Sequence, residues 1–141
     1  MGTIDFEDLL GERAYSGEKA YNQSKLADLM FTYELARRLD GTGVTANALH
    51  PGVVSTAFGS EDPSPIFRFL VPLARSFMQT PERGAATSIH LASSATVEGV
   101  TGTYFAKGKP RQSSASSYEN ATAMRLWDVS WDLVGLPSSH R

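Results

Sequence analysis

The segment from Gly17 to about Leu39 constrains this chain more than any other, because its apolar residues recur at helical spacing over some six turns. Ser16 precedes it as an N-cap with Glu18 in the first turn, and Arg37, Arg38 and then Gly41 mark its end. At about 100° per residue, Ala20, Ser24, Ala27, Phe31 and Leu35 line one side, and Leu26, Leu29, Met30 and Tyr33 a roughly opposite one. A helix apolar on two sides is sandwiched. The second side calls for a cover, and another helix of the same chain and a subunit interface remain equally open.

Between the two stripes runs a polar strip of Tyr21, Lys25, Asp28 and Thr32. Tyr21 and Lys25 are four positions apart, so phenol and ammonium share a face. A lysine charge held near a tyrosine hydroxyl favours the phenolate, which fits Tyr21 for giving or taking a proton. For the pair taken alone, an exposed Tyr and Lys on a surface helix is the commoner explanation.

Composition narrows the classes. With 13 basic and 15 acidic residues and a formal net charge of -2, the chain has no field that argues for nucleic acid or an anionic membrane. It has no run of 18 apolar residues, and Met1 to Asp5 lacks the basic and apolar regions of a signal peptide, so a cytoplasmic protein without a transmembrane segment is expected. The absence of cysteine excludes disulfides and a thiolate nucleophile, and His50, His90 and His140 form no metal-ligand pattern, so no metal is expected.

In order, residues 1–16 read as a lead-in loop and residues 17–39 as the Tyr/Lys helix. Val44 to Leu49 suits a buried strand that His50-Pro51-Gly52 ends, giving a strand and Pro-Gly loop over 44–56. Residues 57–78 are apolar and irregular, with Phe58, Phe67, Leu70 and several prolines; a functional loop and a pair of short core helices are about equally compatible with them. Thr80-Pro81-Glu82 starts a helix that runs to about Ala95, and Thr101 to Phe105 reads as a second strand, so that 80–106 completes a right-handed βαβ unit. Residues 107–118 read as a polar linker and 119–136 as a final helix. The expected class is α/β, in the order helix, strand, loop, helix, strand, helix.

Tyr21-Asn22-Gln23-Ser24-Lys25, the strand at 44–49, Pro51-Gly52-Val53-Val54-Ser55-Thr56 and the Thr80-Pro81 helix together resemble the C-terminal half of the classical short-chain dehydrogenase/reductases. Asp5 to Leu9 and the ending Leu126-Trp127 to Leu136 look like the retinol-dehydrogenase-like branch. The resemblance implies the C-terminal part of a doubly wound, Rossmann-like parallel sheet and an NAD- or NADP-dependent oxidoreductase. It implies Tyr21 as general acid/base, Lys25 as its partner and a ribose ligand, and Pro51, Gly52, Val54 and Thr56 around the nicotinamide. It also implies a lid over 57–78, with Phe58, Phe67 and Leu70 against a lipophilic alcohol, aldehyde or ketone.

The sequence departs from the family in one respect. It contains no G-x-x-x-G-x-G, and only 20 residues precede Tyr21, so the N-terminal dinucleotide half is expected to be absent. A homo-oligomer or a separate N-terminal half is the expected partner. Two functions compete: the catalytic and substrate half of an oxidoreductase, or an inactive remnant or interaction module that keeps a helix-pairing surface.

Overall fold

The computed structural model describes residues 2–52 and 80–136. Its elements are α1 (Gly17–Arg38), β1 (Ala48–His50), α2 (Pro81–Ser93), β2 (Tyr104–Ala106), β3 (Lys109–Arg111) and α3 (Asn120–Leu133). Short 3-10 turns occupy Ala95–Val97 and Ala115–Tyr118. The architecture is mixed α/β, with one sheet in the order β1-β2-β3. By contact density the chain divides into two compact units, residues 1–48, 99–104 and 111–141, and residues 49–98 and 105–110.

The first unit is built on α1. Ser16 caps it by accepting from the Lys19 amide, and Glu18 and Arg37/Arg38 match the dipole at its two ends. Leu26, Met30, Tyr33 and Ala36 are buried along one stripe. Leu26 and Met30 form a core with Ala123 and Leu126 of α3, and Ile4, Phe6 and Leu9 of the lead-in loop pack against it. Of the two covers left open for this stripe, the structure supplies another helix of the same chain. The stripe through Leu26, Met30 and Tyr33 is consumed inside its own unit, because α3 presents Ala123 and Leu126 at the complementary spacing. It is Phe31 on the other side that stays half-exposed, stacked on Trp127 at 5.1 Å, with Arg38 4.6 Å from the same indole.

Glu34 was not anticipated as a core residue, yet it is 4% exposed. It receives Arg37 Nε at 3.0 Å and Arg38 Nε at 2.7 Å. Burial alone pushes its carboxyl up, and the two guanidinium partners outweigh that and hold it below the usual glutamate value. Tyr33 stacks on Tyr118 at 5.2 Å, and its hydroxyl meets Ser113 at 2.7 Å, which in turn meets the buried Ser117 at 2.6 Å.

Parallel pairing begins in the same unit. Gly102 N donates to Ala46 O and Ala48 N to Thr103 O, so the register advances in the same direction on both strands. Regular strand starts later than residues 44 and 101, because side chains take the first rungs. The Asn47 amide donates to Val100 O at 2.6 Å and accepts from Thr103 N at 3.0 Å, and Ala46 N donates to the Thr101 hydroxyl at 3.0 Å.

In the second unit, Thr80 caps α2 through the Arg83 amide, and Pro81 sits where its missing N–H costs nothing. The helix ends at Ser93, before the expected Ala95, and Ser94 caps the 3-10 turn that follows. Phe105 of β2 is 1% exposed. Residues 107–118, expected as a linker, instead return the chain into the sheet. Lys107 and Gly108 have φ of 54° and 69°, the positive pair that a two-residue type I′ hairpin requires, and β3 follows. The three residues of β3 are all exposed, which is why no apolar alternation announced the strand.

The Glu34 cluster sets a stability test. A depressed folded pKa contributes stability that is complete above the unfolded value of about 4.3 and is lost as pH falls through the folded value. Glu34→Gln is expected to destabilise the protein by about 1–3 kcal/mol at neutral pH, since it leaves two guanidinium groups without their charge partner. Denaturant melts between neutral and acid pH check this. The wild type should approach the variant as the pH drops below about 4.3, and parallel curves at all pH values would contradict it.

Candidate active site

Tyr21 lies in the second turn of α1 and is 56% exposed. Lys25 follows one turn later, and its Nζ stands 5.8 Å from the centroid of the Tyr21 ring, so the structure brings the phenol and the ammonium to one accessible face. The ammonium also meets Asp28 Oδ2 at 3.1 Å, in a pair whose side chains are both more than half exposed. Such a pair contributes about 0–1 kcal/mol at most. The ammonium has three donors, and among the described residues Asp28 engages one, which leaves two for a ligand oxygen. Ser24 turns its hydroxyl back to the Tyr21 carbonyl at 2.9 Å.

The lead-in loop is held on this helix by Gln23, a residue that sequence reasoning passed over. Its Oε1 accepts from the Asp5 amide at 2.9 Å, and its Nε2 donates to Leu9 O at 3.1 Å. Lys19 adds an ion pair to Asp5 at 2.8 Å, and the Asp8 carboxylate collects the Arg13 and Ala14 amides. Gly2 belongs to the same fit, since a Cβ there would come within 2.9 Å of the Asn22 backbone. Between loop and helix a cavity of about 270 Å3 opens, lined by Leu9, Leu10, Tyr15, Ala20, Ser24 and Leu126 among others. Tyr21 is not among its lining residues. A glutamine in mid-helix carries no sequence signal for such a clamp; only the loop's lack of its own backbone ladder hints at one.

In the second unit, Pro51 follows β1 and has no N–H to continue a ladder, and Gly52 has φ of 85°, which a side chain would strain. A backbone free of Cβ at that point can approach a planar ligand closely. The other expected site residues, Val54, Thr56, Phe58, Phe67 and Leu70, and with them the whole 57–78 lid, lie outside the described residues. Among the described residues no helix is long and apolar enough to cross a membrane, and no three His, Asp or Glu side chains converge as metal ligands.

Gln23→Ala removes both anchors of the loop. It is expected to cost about 1–3 kcal/mol and to raise hydrogen exchange at the Asp5 amide while leaving the α1 amides protected. An unchanged Asp5 amide would show that the loop is held by other contacts.

No protein-family model matches the chain. It is similar to retinol dehydrogenase 14 of Homo sapiens, with 45% identity over 139 residues, covering 96% of this chain and 41% of the relative. Retinol dehydrogenase 12 of Homo sapiens is 43% identical over 136 residues, and polyprenol dehydrogenase of Danio rerio 40% over 137 residues; each match covers 96% of this chain and 42% of the relative. Among solved structures, an uncharacterized protein from Mycobacterium paratuberculosis matches with a TM-score of 0.69 and 28% identity, over 96% of this chain and 46% of that one. The chain thus spans about two fifths of the length of the curated relatives it matches.

Proposed function

We propose that this chain, which belongs to the short-chain dehydrogenase/reductases by homology to the C-terminal part of retinol dehydrogenases, carries the proton-transfer and substrate-facing part of an NAD(P)-dependent oxidoreductase. The observation that carries the proposal is the single exposed face of α1 shared by the Tyr21 phenol and the Lys25 ammonium. The names of the relatives, a retinol and a polyprenol dehydrogenase, support a lipophilic alcohol, aldehyde or ketone as substrate. Phe58, Phe67 and Leu70 would face it.

The residues fit a nicotinamide cofactor on two counts. Lys25 keeps donors for ribose hydroxyls after satisfying Asp28, and that exposed pair yields at little cost. Gly52 offers a bare backbone after Pro51, and Val54 and Thr56 would continue the same loop around the carboxamide. NAD or NADP supplies or takes up the hydride. The chain's own part is the proton. In reduction the Tyr21 O–H donates to the carbonyl oxygen, and in oxidation the Tyr21 phenolate accepts the proton of the alcohol. Lys25 stabilises that phenolate through its charge and orients the bound ribose. Against the competing reading, an inactive remnant or a module that pairs through the Leu26, Leu29, Met30 and Tyr33 stripe, stands the burial of Leu26, Met30 and Tyr33 within their own unit.

Two expectations follow for measurement. Joined to the upstream part of retinol dehydrogenase 14, the chain should reduce retinal-like aldehydes. Tyr21→Phe should then lower kcat by about a hundredfold or more with the cofactor Kd little changed. Lys25→Ala should weaken both, and retained turnover in Tyr21→Phe would refute the role of the phenol.

The chain alone contains no G-x-x-x-G-x-G to present a helix N-terminus to a pyrophosphate. Calorimetry should therefore show no saturable NAD(H) or NADP(H) binding below about 1 mM, equivalent to about 4 kcal/mol of binding energy. A micromolar Kd would overturn this.

A further inference from the structure

We infer that the second unit carries a binding site for a phosphate-class anion, formed by Arg83, His90 and Lys107. With Pro51, Ala86 and Thr87, these side chains line a cavity of about 480 Å3. The inference rests on no part of the Tyr21 chemistry.

Two elements make the arrangement. Arg83, Thr87 and His90 fall at i, i+4 and i+7 of α2, which places them on one face of the helix. Lys107 comes from the tip of the β2–β3 hairpin. The Gly108 amide donates to the Thr87 hydroxyl at 3.1 Å, so the tip is tied to that same face. Thr87 is 6% exposed, and this is the one bond of its side chain among the described residues, which leaves the hydroxyl proton free to donate.

The charge of the lining is one-sided. Arg83 and Lys107 are fixed cations, and His90 offers a ring N–H in either of its protonation states. Among the described residues no aspartate or glutamate lines the cavity. Among the described residues neither Arg83 nor Lys107 is ion-paired, whereas Lys19, Lys25, Arg37 and Arg38 all are. The position of Lys107 sharpens the point. Its φ is 54°, where glycine, asparagine or aspartate sits with less strain, so the turn itself does not call for a lysine.

Donor type and spacing set the ligand class. A guanidinium fork, an ammonium, an imidazole N–H and a hydroxyl match the oxygens of a phosphate. Arg83 and His90 are about 10 Å apart along the helix axis, a span that suits a diphosphate better than a single phosphate.

The test is titration of the whole chain with inorganic diphosphate at low ionic strength, followed by calorimetry and by amide NMR. Saturable one-to-one binding is expected, with shifts centred on Thr87 and Gly108 and an affinity that falls as salt is added. Arg83→Gln and Lys107→Asn should each weaken it at least tenfold. Asparagine tolerates the positive φ, so Lys107→Asn keeps the turn even if the helix variant fails to fold. Lys109→Gln, which removes a neighbouring exposed cation, should leave the affinity unchanged. Competition identifies the source of the group. Displacement by ADP, whose terminal phosphate is free, assigns it to a nucleoside diphosphate, and displacement by inorganic diphosphate analogues alone assigns it to a separate phosphate ester; both support the site. No saturation, or an equal loss in Lys109→Gln, would reduce the cluster to general surface charge and overturn the inference.

Discussion

The packing of Leu26 and Met30 against Ala123 and Leu126 is what the first unit depends on. A long helix with a polar strip has no fixed orientation until one stripe is buried, and burying each large apolar side chain contributes about 1.5–3 kcal/mol. Once that stripe faces α3, the helix cannot roll, and the strip a quarter-turn or so away must face outward. The exposure of Tyr21 and Lys25 is therefore a result of core packing rather than of anything local to them. Glu34 works in the same direction. Its carboxylate, buried and tied to Arg37 and Arg38, fixes the last turns of the helix as the apolar contacts fix the middle.

What could be read from sequence alone follows from how local each cause is. The caps at Ser16 and at Thr80-Pro81 were legible because a cap is decided by a few neighbouring residues. The two stripes of α1 were legible as stripes, but which one is buried depends on the spacing of Ala123 and Leu126, some hundred positions away, and no periodicity within the helix contains that. The hairpin at Lys107-Gly108 went unread for a related reason. Its return strand, Lys109-Pro110-Arg111, has the composition of a linker, and only the paired positive φ values reveal the turn. Strand starts shifted because Asn47 and Thr101 replace backbone rungs with side-chain ones, a choice that a propensity scale does not encode.

The same distinction runs through the site. Tyr21 and Lys25 sit four apart on one helix, so their meeting was a matter of helical geometry, and so was their shared strip with Asp28. Gln23 reaches across to residues 5 and 9, a tertiary bond that a single sequence does not announce. Arg83, His90 and Lys107 lie further apart still, on a helix and a turn, and no motif in the sequence joins them as the fold does in one cavity.

One feature of the sheet reaches beyond the residues described. Among the described residues, β1 and β3 are the two edges of the order β1-β2-β3. The β3 edge carries two cations and Pro110, a residue with no N–H to give, so it is unsuited to receive another strand. Among the described residues the sheet is thus open to growth on the β1 side only. A further strand, whether it comes from the same polypeptide or from another molecule, has to be laid beside β1, the strand that runs directly into Pro51-Gly52. Whatever extends the sheet on that side arrives next to that turn, so lengthening the sheet and enclosing the glycine bend go together.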